Sequence, residues 1–194
     1  MPLTRAHHGS YTRCDVPPSF SPAKAGFMYQ VLVICTGNTC RSPMAEAILR
    51  TLLPKELGGL ARVISAGTGA ADGLPATALA TQVCAEGGVE LVNHRSLPLT
   101  PALIRASDLV LGMEAHHVEH ARRLAPDAAD RVHLITERGA ASGAIAEGVL
   151  DPMGGTADQY RDTYHRIRSH LLGWIPVIRE AVERREGVRR SSES

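Results

Sequence analysis

Eight consecutive residues, Cys35-Thr36-Gly37-Asn38-Thr39-Cys40-Arg41-Ser42, have the types and spacing that could do chemistry. They follow a short apolar run, Val31-Leu32-Val33-Ile34, and lead into Pro43 and a helical stripe. A tight loop entering a helix N-terminus turns backbone N–H groups inward, on the positive end of the helix dipole, and so makes an anion site. Gly37 and Asn38 are residue types that tolerate the left-handed backbone such a nest needs. Arg41 adds a planar fork for two oxygens of a phosphoryl group. A thiol at the floor, Cys35, would feel all of that positive potential, and a thiolate facing bound phosphorus is a nucleophile in place. Residues Thr36 to Ser42 are therefore read as a phosphate-binding loop around a Cys35 nucleophile.

The elements that must position this loop alternate along the chain. Val31–Ile34 is a continuous apolar run of the kind that forms a strand buried on both faces. Ser42-Pro43 offers an N-cap and a proline at the first helical position, with Ala45, Ile48, Leu49, Leu52 and Leu53 behind it, and the helix should end near Pro54. Arg62–Ser65 predicts a second strand, and residues 76–86 a helix closed by Gly87-Gly88. Asp108–Leu111 is a third strand, residues 114–124 a helix, and Val132–Ile135 a fourth strand. A Gly/Ala-rich connection from Gly139 to Gly155 precedes a last helix marked by Tyr160, Tyr164, Ile167, Leu171, Ile175, Ile178 and Val182, which Pro176 should kink near Leu172. The alternation predicts an α/β fold of three layers, a central parallel sheet of about four strands flanked by helices. Ligands of such folds sit at the carboxyl ends of the strands, where the Cys35 loop lies.

The chain has 194 residues, enough for one domain with a hydrophobic core. Lys and Arg number 21 against 20 Asp and Glu, a balance that argues against a dedicated nucleic-acid or membrane-surface binder. No segment has the length of apolar sequence needed to span a bilayer, and none resembles a signal peptide. Four cysteines are too few for a disulfide scaffold and suit thiols in a reducing cytoplasm. Residues 1–27, with four prolines and no apolar periodicity, are expected to be a flexible extension, residues 28–186 the domain, and residues 187–194 a disordered tail. A monomer is expected.

The string CTGNTCRSPMAE, Cys35 to Glu46, resembles the low-molecular-weight protein tyrosine phosphatase family, and most closely its bacterial protein-arginine-phosphatase branch. The resemblance covers roughly residues 28–186. It implies a metal-independent hydrolase with no cofactor, acting on phosphorylated proteins through a cysteinyl-phosphate. It further implies a downstream acid in an Asp-Pro pair, matched by Asp151-Pro152, which protonates the leaving group and then takes a proton from water. Ser65 and His94 match positions that hold the loop asparagine, here Asn38, while Ser42 matches a hydroxyl that donates to the thiolate. Cys40 matches a residue that pairs reversibly with the nucleophile, and burial as a small apolar thiol is the alternative reading.

The substrate is narrowed by residue types. Tyrosine-directed members resemble one another in lining the pocket with aromatic rings, yet no Phe, Tyr or Trp occurs between Tyr29 and Tyr160. Met153 stands in the pocket-wall position after the Asp-Pro pair. Thr39 matches the arginine-directed branch, and its hydroxyl can accept from a guanidinium N–H. Phosphoarginine is favoured over phosphotyrosine. An arsenate reductase shares a similar loop, but the cysteines that would relay its disulfide are missing from Leu111-Gly112-Met113-Glu114. A silent phosphate-binding module would not need Cys35, Arg41 and Asp151 together. His116-His117-Val118-Glu119-His120 has the H-x-x-E-H spacing of some zinc peptidases, with His116 and His120 on one helix face. No paired helix with an acidic ligand follows, so the stretch is read as a solvated face with Val118 inward, and no metal is expected.

Overall fold

The computed structural model describes residues 28–57, 59–139 and 148–192. The expectations for residues 1–27, for 140–147 of the Gly/Ala-rich connection and for 193–194 lie outside the described residues.

Four strands, β1 (Tyr29–Cys35), β2 (Ala61–Gly67), β3 (Leu109–Gly112) and β4 (Val132–Leu134), form one sheet in the order β2-β1-β3-β4. All three pairings are parallel. The helices are α1 (Arg41–Leu52), α2 (Ala78–Glu86), α3 (Pro101–Arg105), α4 (Ala115–Leu124) and α5 (Ala157–Ser192).

Strand alternation explains the three layers. Val31, Val33 and Cys35 of β1 point into a core shared with α1, α2 and α5, whereas Leu32 and Ile34 point into a second core with Val110, Ile104 and Val118. Because both faces are covered, β1 shows no polar residue among Val31–Cys35, all of them buried. The chain leaves β1 toward β2 on one side and later returns to β3 on the other. The carboxyl end of β1 is thus a topological switch point, with Ile34 paired to Gly112 of β3 and Cys35 paired to Gly67 of β2.

Two expectations change. Helix α1 begins at Arg41 with Cys40 at its N-cap, so Ser42 is not the cap but a helical residue, fully buried. The reason is that the Cys40 carbonyl already accepts from the Met44 N–H at 3.1 Å, while the Ser42 hydroxyl is used at Cys35. Pro176 lies inside α5, which continues on both sides of it. Pro176 and Leu172, whose carbonyl the proline cannot bond, are both on the solvent side. The same helix runs on through Gly187 to Ser192, residues expected to be disordered, with Arg184–Glu180 and Arg189–Glu186 pairs along its last turns. Trp174, not counted in the apolar stripe, is buried and donates its Nε1–H to the Ile135 carbonyl at 2.8 Å. Among the described residues no helix is long and apolar enough to cross a membrane.

The end of β2 is packed so closely on the Cys35 loop that only glycine fits there. A Cβ on Gly67 would strike the Thr36 carbonyl oxygen and come within 2.9 Å of the Asn38 nitrogen, both backbone atoms. Gly67→Ala should therefore destabilise the protein by about 1–3 kcal/mol. Gly187→Ala, in open space on a helix, should stabilise it by about 0.5–1 kcal/mol. Denaturant unfolding of the two variants checks both signs.

Candidate active site

The loop between β1 and α1 closes around the Cys35 sulfur. Asn38 takes the left-handed conformation, with φ of 52°, and its N–H donates to Cys35 Sγ at 3.3 Å. A non-glycine residue at that φ is strained and persists only where its surroundings hold it. Asn38 is held on four sides. Its Nδ2 donates to Ser42 Oγ and to Ser65 Oγ, both at 2.9 Å. Its Oδ1 accepts from the Leu97 N–H at 2.7 Å, and its carbonyl accepts from His94 Nε2 at 2.7 Å. Ser65 Oγ donates its own hydrogen bond to the Glu46 carboxylate at 2.5 Å. Ser42 Oγ accepts from Asn38 Nδ2 and lies 2.9 Å from Cys35 Sγ and 3.4 Å from the Ala66 carbonyl, so its one proton can go to the nearby sulfur or to that more distant oxygen.

Arg41 opens α1 and is 2% exposed. Its Nη2 donates to Asp151 Oδ2 at 2.6 Å, and its Nη1 to the Glu114 carboxylate and to the Val149 carbonyl at 2.8 Å. A buried guanidinium needs such partners, since an unpaired charge there would be strongly destabilising. The loop bearing Asp151 is fastened to the end of β3: Val149 N–H donates to the Met113 carbonyl at 2.7 Å. Asp151 Oδ1 in turn accepts from the Met153 N–H at 3.1 Å, an Asx turn that shapes the Asp-Pro segment.

Most residues singled out from the sequence converge here: Cys35, Thr36, Asn38, Cys40, Arg41, Ser42, Ser65, His94 and Asp151 are linked directly or through one neighbour. Gly37 and Thr39 complete the loop; the Thr39 carbonyl accepts from Thr77 at 2.8 Å, and Thr39 Oγ1 would lie 3.4 Å from a Cβ on Gly37. Met153 is exposed beside Asp151, with buried Tyr160 beneath it and the Tyr160 hydroxyl 3.9 Å from Sδ. Cys40 is buried, and that burial pushes its thiol up to about 12; Cys84, in the core, is pushed to the same range.

Three polar residues of the site lie outside the sequence reading: Glu46, Glu114 and His117. Glu114 directly follows β3 at the switch point, a position that strand order would have flagged. His117, read as part of a solvated face, is fully buried, its Nε2 2.9 Å from Thr36 Oγ1. Burial above all, with His116, Arg41 and His120 nearby acting in the same direction and Asp151 opposing them, lowers its pKa to about 3. Donor atoms of Glu114, His116 and His117 lie within 4.8 Å of one another, the one metal-sized cluster among the described residues. Both His117 ring nitrogens are already engaged, to Thr36 and to the Glu114 N–H, so the set fits the anion loop better than an ion.

The family model of low molecular weight phosphotyrosine protein phosphatases matches residues 30–186. A protein-arginine-phosphatase of Bacillus subtilis is 38% identical over 141 residues, 73% of this chain and 91% of that protein. The probable low molecular weight protein-tyrosine-phosphatase EpsP of Ralstonia nicotianae is 34% identical over 149 residues, 77% of this chain and 95% of that protein. Among solved structures, the YwlE arginine phosphatase from Geobacillus stearothermophilus superposes with a TM-score of 0.69 at 32% identity, covering 79% of this chain and 94% of its own.

At pH 8, Cys40 and Cys84 in the folded chain should alkylate about a thousandfold more slowly than in the unfolded chain, because the rise from 9.0 to about 12 removes that much thiolate; peptide mapping after iodoacetamide checks it. His117 is neutral when folded and protonates near its ordinary value when unfolded. Its contribution to stability is complete above about 6.5 and is lost as pH falls toward about 3. The stability gap between wild type and His117→Asn should therefore narrow between pH 7 and pH 4 in chemical denaturation.

Proposed function

The chain belongs to the low molecular weight phosphotyrosine protein phosphatase family, and on that premise we propose that it removes phosphoryl groups from protein arginine side chains by way of a cysteinyl-phosphate. The Cys35 thiolate attacks phosphorus in line while Arg41 and the amides of residues 36–42 hold the equatorial oxygens. The bond from phosphorus to the guanidine nitrogen breaks, its electron pair stays on nitrogen, and Asp151 delivers a proton there. The Asp151 carboxylate then takes a proton from water, whose oxygen attacks the cysteinyl-phosphate; the thiolate departs and inorganic phosphate is released. Ser42 donates to the sulfur both as nucleophile and as leaving group, and Ser65 and His94 act by keeping Asn38 in its strained conformation. The positive charge gathered on the loop and Arg41 makes the chemistry workable without a cofactor, and the buried free thiols suit a reducing cytoplasm.

The observation that carries the choice of phosphoarginine is the make-up of the mouth. Tyr160, the first aromatic after Tyr29, is 2% exposed and lies beneath Met153, which is 53% exposed. The rim beside the acid thus offers a thioether to an aliphatic stem and no ring to a phenol. Thr39 supports the same reading, with a hydroxyl able to accept from a guanidinium N–H. The similarity to EpsP favours phosphotyrosine as the second reading.

Matched peptides bearing phosphoarginine or phosphotyrosine decide between them. The expected result is a kcat/KM at least about tenfold higher for phosphoarginine. Cys35→Ser should abolish turnover, and Asp151→Asn should lower kcat by about 10²–10⁴. A preference for phosphotyrosine would overturn the specificity, and turnover by Cys35→Ser equal to wild type would overturn the mechanism.

A further inference from the structure

His117 has no part in the steps above, yet it is a fully buried polar side chain that joins the phosphate loop to helix α4. The direction of its two hydrogen bonds can be worked out from chemistry alone. The Glu114 backbone N–H can only donate, and it points at His117 Nδ1 at 3.1 Å. Nδ1 is therefore unprotonated, and a neutral imidazole has one N–H, which must be on Nε2. Nε2 in turn faces Thr36 Oγ1 at 2.9 Å, so the hydroxyl oxygen is the acceptor in that bond. With this direction settled, the hydroxyl proton of Thr36 points away from the ring. Thr36 directly follows the nucleophile and is exposed at the mouth of the loop, where a bound phosphoryl group, rich in acceptors and poor in donors, is the natural recipient.

We propose that His117 is a positioning residue for phosphoryl binding: its Nε2–H fills the acceptor side of the Thr36 hydroxyl, so that Thr36 donates its own proton to the phosphoryl oxygens held over Cys35. The same imidazole, through the Glu114 N–H, ties this donor to the residue whose carboxylate grips Arg41. One helix N-terminus thereby aligns two donors of the anion site, a hydroxyl and a guanidinium. Burial keeps the ring uncharged throughout the neutral range, so the donor direction does not switch with pH. The inference rests on the phosphatase reading for what is bound, but the direction of the Thr36 bond stands on geometry.

Two substitutions separate this role from a merely structural one. His117→Asn retains an acceptor for the Glu114 N–H and removes the donor to Thr36, while Thr36→Val removes the hydroxyl and retains the shape. Orthophosphate affinity by calorimetry and kcat/KM on a phosphorylated peptide are read for both, for the double variant and for Thr36→Ser. Each single variant should weaken orthophosphate binding and lower kcat/KM by about tenfold, the scale of one hydrogen bond to a charged group. The double variant should be no worse than Thr36→Val alone, and Thr36→Ser should stay within about twofold of wild type. Losses that multiply, or a His117→Asn protein indistinguishable from wild type, would overturn the proposal. A Thr36→Val protein that binds orthophosphate as wild type does would overturn it whatever becomes of His117→Asn. Wild type that binds orthophosphate but turns over no phosphorylated peptide would refute the phosphatase reading alone, and the affinities would still decide the role of His117.

Discussion

A guanidinium carried into a protein interior must find carboxylates and carbonyls there, or the fold gives way to one that leaves the charge in water. Arg41 is such a group, and three separate pieces of chain meet its demand: the start of α1 supplies it, the end of β3 brings Glu114, and the segment before α5 brings Val149 and Asp151. The convergence is what makes a site. The two carboxylates are not equivalent, because the Glu114 side chain is 27% exposed and that of Asp151 43%. Glu114 braces the guanidinium from the protein side. Asp151 sits toward solvent, where a carboxylate can exchange its partner for an incoming leaving group. A single cation thus holds one acid within the protein and the other at its surface.

The second constraint is the turn at Asn38. Its φ of 52° is what aims an N–H at the Cys35 sulfur, and the strain is met by bonds from Ser42, Ser65, His94 and Leu97. Those partners come from α1, β2 and the connection between α2 and α3, so the loop is shaped by the fold around it and not by its own sequence alone. Preorganisation of this kind leaves little to rearrange when an anion arrives.

How much of this was legible in advance depended on how local the signal was. The strands were visible as apolar runs, and the anion loop as glycine, asparagine, cysteine and arginine between a strand and a helix. Asp151, a common turn residue by itself, became visible only through the family pattern. Glu114 and His117 stayed hidden because their role depends on β3 lying beside β1, which strand order decides and no local spacing records. Helical arithmetic placed His116 and His120 on one face correctly enough, yet it is His117, next to inward Val118, that the packing buries. Ser42 was misplaced by one element boundary for a similar reason: a good capping residue was needed by the nucleophile instead.

The bond between Arg41 and Asp151 spans 110 residues of chain. On the proposed mechanism, synthesis from the N-terminus delivers the nucleophile and its anion nest long before the acid, and helix α5, Ala157–Ser192, follows that acid. A ribosome-bound fragment ending before α5 already carries Cys35, Arg41 and Asp151 but lacks Tyr160, Tyr164 and Trp174, which pack that helix on the core. On the proposed mechanism the site is therefore complete in composition before it is complete in packing, and turnover waits for α5 to dock its tyrosines and Trp174 onto the core.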